Sequence, residues 1–369
     1  MGTKTSTRLA DGRELIYFAN GSEPKDAPPD RRDLPPPSAT NELRYDPLLD
    51  TWVIYAAHRQ HRSYLPATAD CPLCPSRDGK ETEIPAPSYE VVVFENRFPS
   101  LAGSGERPGP AEIRDGLFTA RGSAGRCEVV CFSDDHDGTF ATLSEARVGL
   151  VLEALIDRTT ELGRREDVEQ VFCFENRGRE IGVTQSHPHG QIYAYPFVTQ
   201  RTARALEAAR RYERVHHANY YEDLVAAEAR DGSRIVTETE HFVAFVPFAA
   251  RWPYEVHCYP KTRVPELAAL ADEALAELPR VLLDLHGRFA RLFSEPAPYI
   301  AGWHQAPVRE GREHYACHLE LFTFRRDEGK LKYLAGSESG MDAFASDVIP
   351  EAAASRLREV VPAGKGRQG

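Results

Sequence analysis

Five residues concentrate the reactive chemistry of this chain: His187-Pro188-His189-Gly190-Gln191. β-Forming residues surround them, Val171-Phe172-Cys173-Phe174 before and Ile192-Tyr193-Ala194-Tyr195 after, so the stretch is predicted to be a strand entered through a turn. Alternate side chains of a strand share a face, which would set His187, His189 and Gln191 in one row. Pro188 lacks the N–H that a ladder needs and belongs at a strand entrance or edge. A neutral imidazole beside phosphate-binding donors is a competent nucleophile toward phosphorus, splitting one difficult transfer into two easier ones. Gln191 can donate to a phosphoryl oxygen as charge develops there, but it can neither deprotonate water nor deliver a proton. The pattern therefore favours transfer between two phosphates over hydrolysis.

A second constellation is Cys71-Pro72-Leu73-Cys74, whose two-residue gap lets both thiolates reach one tetrahedral zinc ion. A redox dithiol is the competing reading, yet no strand-to-helix context surrounds the pair and the flanking prolines suit a metal knuckle. Two further ligands must come from elsewhere. The best candidates are His136, in Phe132-Ser133-Asp134-Asp135-His136, and His187.

The elements that must position these groups come from a chain of 369 residues, 41% hydrophobic, enough for one large core or two ordinary ones. A net charge of -11 argues against a nucleic-acid backbone binder. No run approaches the roughly 18 apolar residues of a membrane span, and Met1-Gly2-Thr3-Lys4-Thr5-Ser6 has no apolar signal core. No membrane association is expected, and the cytoplasm is the expected location. Seven cysteines, an odd number at irregular positions, do not form a disulfide framework and are expected to be buried thiols or metal ligands.

Strand-like runs recur at Trp52–Tyr55, Tyr89–Phe94, Cys127–Ser133, Val171–Glu175 and Gln191–Tyr195. Ser144–Leu162 has helical apolar spacing, with Thr142 and Glu145 reading as a capping box. A second, charged helical stretch covers Arg201–Arg230. The chain also repeats itself: Glu128–Ser133 is echoed by Glu255–Pro260, each followed by a Leu-rich helix, and His318-Leu319-Glu320 takes the place of His187-Pro188-His189. The expected organisation is a mostly disordered N-terminal arm over 1–42, one α+β unit over 43–200, a second over 201–362 and a frayed tail over 363–369.

Taken together, Cys71-Pro72-Leu73-Cys74, Phe132–His136, Phe174-Glu175-Asn176-Arg177-Gly178 and His187–Gln191 resemble the galactose-1-phosphate uridylyltransferases of the histidine-triad superfamily, from about Leu43 to the end of the chain. The resemblance implies an α+β fold of duplicated histidine-triad units, antiparallel sheets flanked by helices, and a homodimer. It implies ping-pong transfer of UMP from UDP-glucose to galactose 1-phosphate, giving glucose 1-phosphate and UDP-galactose. In those terms His189 is the nucleophile, Gln191 steadies the uridylylated intermediate, and Cys71, Cys74, His136 and His187 hold zinc. Arg59 and Arg62, in His58-Arg59-Gln60-His61-Arg62, match a phosphate-facing turn. Asn176, Gly182 and Thr184 match phosphate-proximal positions, and Phe94, Asn96 and Val129 match the uridine pocket. Lys332 and Glu338 match a segment that reaches the hexose across a dimer interface, although Ser337 and Phe344 replace an expected Tyr and Gln. A second metal, iron or zinc, would be held by His304 and His318. Glu320, a candidate third ligand, stands where another histidine is expected, and the expected glutamate falls near Ala205, with Glu207 close by, so that site is weakened, altered or absent; the alternative is that His304, His318 and Glu320 form a hydrogen-bonded structural cluster. A related enzyme using ADP-glucose and phosphate is the runner-up, and a nucleotide hydrolase of the same superfamily is a further alternative.

Overall fold

The structure is a computed structural model describing residues 2–21, 28–36, 41–61, 66, 68–77, 79–102 and 117–360. Arg62, the 363–369 tail and parts of the 1–42 arm lie outside the described residues. In chain order the strands begin with β1 (Thr3–Arg8), β2 (Glu14–Ala19), β3 (Glu42–Asp46), β4 (Thr51–Tyr55), β5 (Val91–Glu95), β6 (Thr119–Gly122) and β7 (Arg126–Cys131). Helix α1 (Glu145–Gly163) leads to β8 (Gln170–Arg177) and β9 (His189–Tyr195), followed by α2 (Gln200–His216) and α3 (Tyr220–Asp231). The chain continues through β10 (Ile235–Glu238), β11 (Phe242–Phe245), β12 (Tyr254–Pro260), α4 (Asp272–Ala290), β13 (Tyr299–His304) and β14 (His318–Thr323). It closes with β15 (Arg325–Asp327), β16 (Lys330–Leu331), α5 (Gly336–Met341) and α6 (Pro350–Glu359).

Eleven strands form one antiparallel sheet in the order β1-β2-β5-β7-β9-β8-β13-β14-β12-β11-β10. Reading outward from the β8·β13 pair, β9 and β14 correspond, then β7 and β12, then β5 and β11. The inferred repeat is therefore visible as strand–helix–strand–strand twice over, β7-α1-β8-β9 and β12-α4-β13-β14. The two units share one continuous sheet, because Tyr299–Trp303 pairs in register with Arg177–Cys173.

Burial alternates along β9 as the strand period requires: Gly190, Ile192 and Ala194 are buried, while His189, Gln191 and Tyr193 are half-buried on the other face. Helices α1 and α4 cover the first face, where Val151, Leu155, Leu282 and Leu285 join Val130, Ile192 and Leu319 in one core. Each such side chain contributes about 2 kcal/mol by leaving water. The opposite face is covered in two parts. Cys71, Leu73 and Tyr89 pack on Val92, Phe94 and Val129, and Leu206, Ala209 and Tyr221 pack on Val243, Phe245 and Tyr259. Among the described residues no helix is long and apolar enough to cross a membrane.

Several local expectations need correction. The arm expected to be mostly disordered forms the β1–β2 hairpin over residues 3–19, since Leu15-Ile16-Tyr17-Phe18 buries against β5 and Gly12, at φ +86°, makes the turn. Residues 28–36 hold no strand or helix, but Arg32 pairs with Asp30 (2.8 Å) and Glu83 (3.0 Å). The cap of α1 is Ser144, whose Oγ accepts from the Arg147 N–H, rather than Thr142. The charged stretch 201–230 is two helices: His217 adopts the left-handed conformation (φ 54°), and Asn219 caps α3.

Candidate active site and metal centre

Cys71, Cys74, His136 and His187 converge from three segments of the chain, their ligand atoms all within 4.8 Å of one another. The Cys74 Sγ lies 3.3 Å from the His136 Nδ1 and 3.6 Å from the His187 Nδ1. Tetrahedral coordination at zinc bond lengths puts neighbouring ligand atoms about 3.5 Å apart, so the donor set and its spacing fit that ion. The tautomer of His187 is set from behind. Its Nε2 faces the Ser133 carbonyl (2.8 Å) and the Tyr89 hydroxyl (2.8 Å), which itself donates to the Leu73 carbonyl (2.9 Å). The proton therefore sits on Nε2 and the Nδ1 lone pair faces the thiols. Burial holds the His187 imidazolium down, to a pKa of about 4, and pushes the Cys74 thiol up to about 12 with help from its neighbour Cys71. A bound cation would reverse the latter cost.

The row of three polar side chains is corrected to two plus one. β9 starts at His189, so His187 lies before the strand and turns to the thiols, while His189 and Gln191 share the open face. Pro188 is at the strand entrance as expected, its carbonyl accepting from the Phe132 N–H (3.3 Å). His189 directs Nδ1 at the His187 carbonyl, 2.7 Å away. A carbonyl only accepts, so Nδ1 carries the proton and Nε2 bears the lone pair.

Two cavities meet at His189. The smaller, about 140 Å³, is lined by Phe94, Asn96, Arg97, Val129, Thr184 and Gln191. The larger, about 410 Å³, is lined by Asn176, Arg177, Arg179 and Ser186. His189 and Gln185 border both. A nucleophilic imidazole between an aromatic-walled pocket and an arginine-lined one can perform covalent transfer at a phosphorus held between them.

The fold thus gathers Phe94, Asn96, Val129, Asn176, Thr184, His189 and Gln191 around one point. Gly182 is in the β8–β9 connection with φ +76°, a value that favours glycine, and it is not among the residues lining either cavity. Arg59 is turned to the Phe98 carbonyl (3.3 Å), Ser100 and the Tyr193 hydroxyl (3.3 Å), farther along the same face of β9. Lys332 and Glu338 are not brought to His189 within one chain; they pair with each other at 2.9 Å. Sequence reasoning missed Arg97, Glu83 and Gln185. Arg97 directly follows Asn96, which was a usable signal. The Gln185 Oε1 is buried with no hydrogen-bond partner among the described residues, and only the structure reveals that.

His304, His318 and Glu320 do come together, with two participants the sequence did not flag. His257 on β12 is in register with Glu320, and Arg201 on the first turn of α2 places one nitrogen 2.7 Å from each Glu320 oxygen.

Profiles described as galactose-1-phosphate uridyl transferase match residues 34–199 (N-terminal domain) and 205–365 (C-terminal domain). The chain belongs to the galactose-1-phosphate uridylyltransferase family. It is 48% identical over 368 residues to the galactose-1-phosphate uridylyltransferase of Streptomyces lividans, covering 97% of this chain and 98% of that one. It is 39% identical to that of Thermotoga maritima, covering 86% and 98%. A solved uridylyltransferase structure superposes with a TM-score of 0.75 at 29% identity over 86% of this chain and 97% of that one. An ADP-glucose phosphorylase from Arabidopsis thaliana shares the fold, with a TM-score of 0.65 at 23% identity over 87% and 98%.

Proposed function

We propose that this chain transfers UMP from UDP-glucose to galactose 1-phosphate through a uridylyl-imidazole on His189. The observation that carries the reading is the 2.7 Å contact from the His189 Nδ1 to the His187 carbonyl, at the junction of the two cavities. The Nε2 lone pair forms a bond to the α-phosphorus as the bond to the bridging oxygen breaks, and glucose 1-phosphate leaves. A phosphate oxygen of galactose 1-phosphate then attacks the same phosphorus, the P–N bond breaks, and UDP-galactose leaves. Neither step needs an activated water: the first expels a phosphate anion, and in the second a phosphate anion is the nucleophile and the neutral His189 imidazole the leaving group. Gln191, Asn176 and Thr184 donate to the phosphoryl oxygens, while Phe94, Asn96 and Val129 hold the uridine. Arg177 and Arg179 suit the hexose phosphate.

Zinc, when bound by Cys71, Cys74, His136 and His187, supplies a cross-link that stiffens the entrance to β9. The protein's own part is a two-link relay: His187 is immobilised by its ring, and its backbone carbonyl then orients His189. Lys332 and Glu338 serve the hexose of a partner's site in a homodimer. The exposed apolar side chains beside them, Tyr333 and Met341, support that assignment; a monomer by sedimentation would remove it.

Mixed with UDP-glucose alone, the enzyme should release glucose 1-phosphate in one burst equal to the enzyme present, and His189→Ala should release none. No burst, or an undiminished one in the variant, refutes the mechanism. A burst from ADP-glucose but not UDP-glucose would move the chain to the related adenylyl chemistry.

A further inference from the structure

The second cluster has the residue types of a metal site, and three of its members, His257, His318 and Glu320, bring ligand atoms within 4.8 Å of one another. One face of the cluster is already taken. In a metal site, lone pairs point inward at a cation. The anionic ligand here is the Glu320 carboxylate, with a side chain only 5% exposed, and its lone pairs are turned to a guanidinium. The Arg201 Nη2 stands 2.7 Å from both of its oxygens, so a cation belonging to the chain already occupies its ligand face. His304 turns its Nε2 toward the same carboxylate, 3.3 Å from Oε2. His257 is committed elsewhere: its Nε2 is 2.8 Å from the Glu255 Oε1 and 3.7 Å from Glu320, a position between two acceptors that calls for a proton. Glu255 is itself fixed by the Arg251 and Trp252 N–H groups, at 2.7 and 3.1 Å. His318 keeps a ligand-like posture, Nδ1 on the Ala316 carbonyl at 2.9 Å and Nε2 inward, so it and His304 both face a carboxylate that Arg201 already neutralises.

We infer that in this chain the Arg201 guanidinium takes the place of the second metal, so the duplicate unit is closed by an ion pair and holds no transition metal. The donor set therefore does not fit the second ion that the resemblance implies. The pair also ties the start of α2 to β14 of the second unit, while the adjacent Thr202 hydroxyl accepts from the Gln170 side chain (2.8 Å) on β8 of the first.

Metal content decides the matter independently of activity. Full-length protein, Glu320→Gln, His318→Ala and Cys71→Ser are each incubated with excess ferrous or zinc ion, desalted and measured for metal per chain. The expected pattern is one ion in the first three and none in the fourth. Two ions in the parent, falling to one in Glu320→Gln and one in Cys71→Ser, would overturn the inference. A second ion that survives both Glu320→Gln and His318→Ala lies outside the cluster and leaves the inference standing, whereas one lost only in His318→Ala overturns it. Should Glu320→Gln fail to fold, cobalt substitution of the parent decides alone. One equivalent with thiolate charge-transfer absorption supports the ion pair, and a further equivalent ligated by nitrogen and oxygen alone refutes it.

Discussion

Replacing Glu175 with glutamine should change how stability depends on pH, and the size of the change follows from where this carboxyl sits. Glu175 lies on β8 between Gly190 and Ala301 in register. It is 5% exposed, beneath the helices with Phe132, Phe140, Leu282 and His286 around it. Burial raises its pKa from 4.5 to about 7, against the opposing pull of the Tyr299 hydroxyl, which donates to it at 2.9 Å, and of Arg177. Because the folded value lies above the unfolded one, the stabilisation from this group is fully present below about pH 4.5 and is lost as pH rises through about 7. At roughly 1.4 kcal/mol per pH unit, the loss is on the order of 3 kcal/mol. Glutamine keeps the oxygen that accepts from Tyr299 and never ionises. The stability of Glu175→Gln relative to the parent should therefore climb between pH 4.5 and 7 and level off above. Urea melts of both proteins at pH 5, 6, 7 and 8, with metal loading matched, measure the difference. His286, held near a pKa of about 4 by burial, has the opposite sign but is common to both proteins and cancels. A difference that stays constant over this range would refute the reasoning.

Arg158→Met should destabilise strongly, because Glu128 is fully buried and takes two hydrogen bonds from that guanidinium, at 2.9 and 2.8 Å. About 3 kcal/mol is expected, at the lower end for an orphaned buried charge because Arg126 stays 2.6 Å away. Urea midpoints would show it, and adding Glu128→Gln should recover much of the loss. Tyr89→Phe deletes one of the two groups behind the His187 Nε2, so zinc affinity should fall about 10-fold while the Ser133 carbonyl still orients the ring. Competition with a chromogenic chelator measures this, and unchanged affinity would mean that the hydroxyl has no part in holding the metal.

What the sequence made legible is what depends on residue type and short spacing. The Cys71–Cys74 gap, the lone His136 and the His187–His189 pair carry their chemistry in their identities, and the structure unites them. Contacts decided by sheet register were harder to see. His257 looked like any strand histidine, although the alternation Glu255-x-His257 within the recognised repeat was an available signal; its partnership with Glu320 exists only because β12 pairs with β14 at that offset. Arg201 sat in a helix rich in charge, where nothing singles out one arginine. The β1–β2 hairpin was lost to the Pro-rich segment that follows it, although Leu15-Ile16-Tyr17-Phe18 already carried the apolar content of a buried strand. The Cys71–Cys74 knuckle and the strand carrying His189 needed no such long-range knowledge, since each is assembled within a few residues before the fold brings them together.

The β8·β13 pairing sets a limit on how this molecule can be divided. A cut near residue 199, where the two family profiles meet, severs no strand but strips each half of five backbone pairings, Tyr299–Trp303 with Arg177–Cys173. Each fragment would then carry an unpaired edge at the strand nearest its functional cluster, a ready template for pairing with another copy. The Tyr299 hydroxyl would leave Glu175 without its donor in the same stroke. For anyone seeking a minimal catalytic piece, the half that holds His189 shortens the chain only by leaving its sheet with a raw edge.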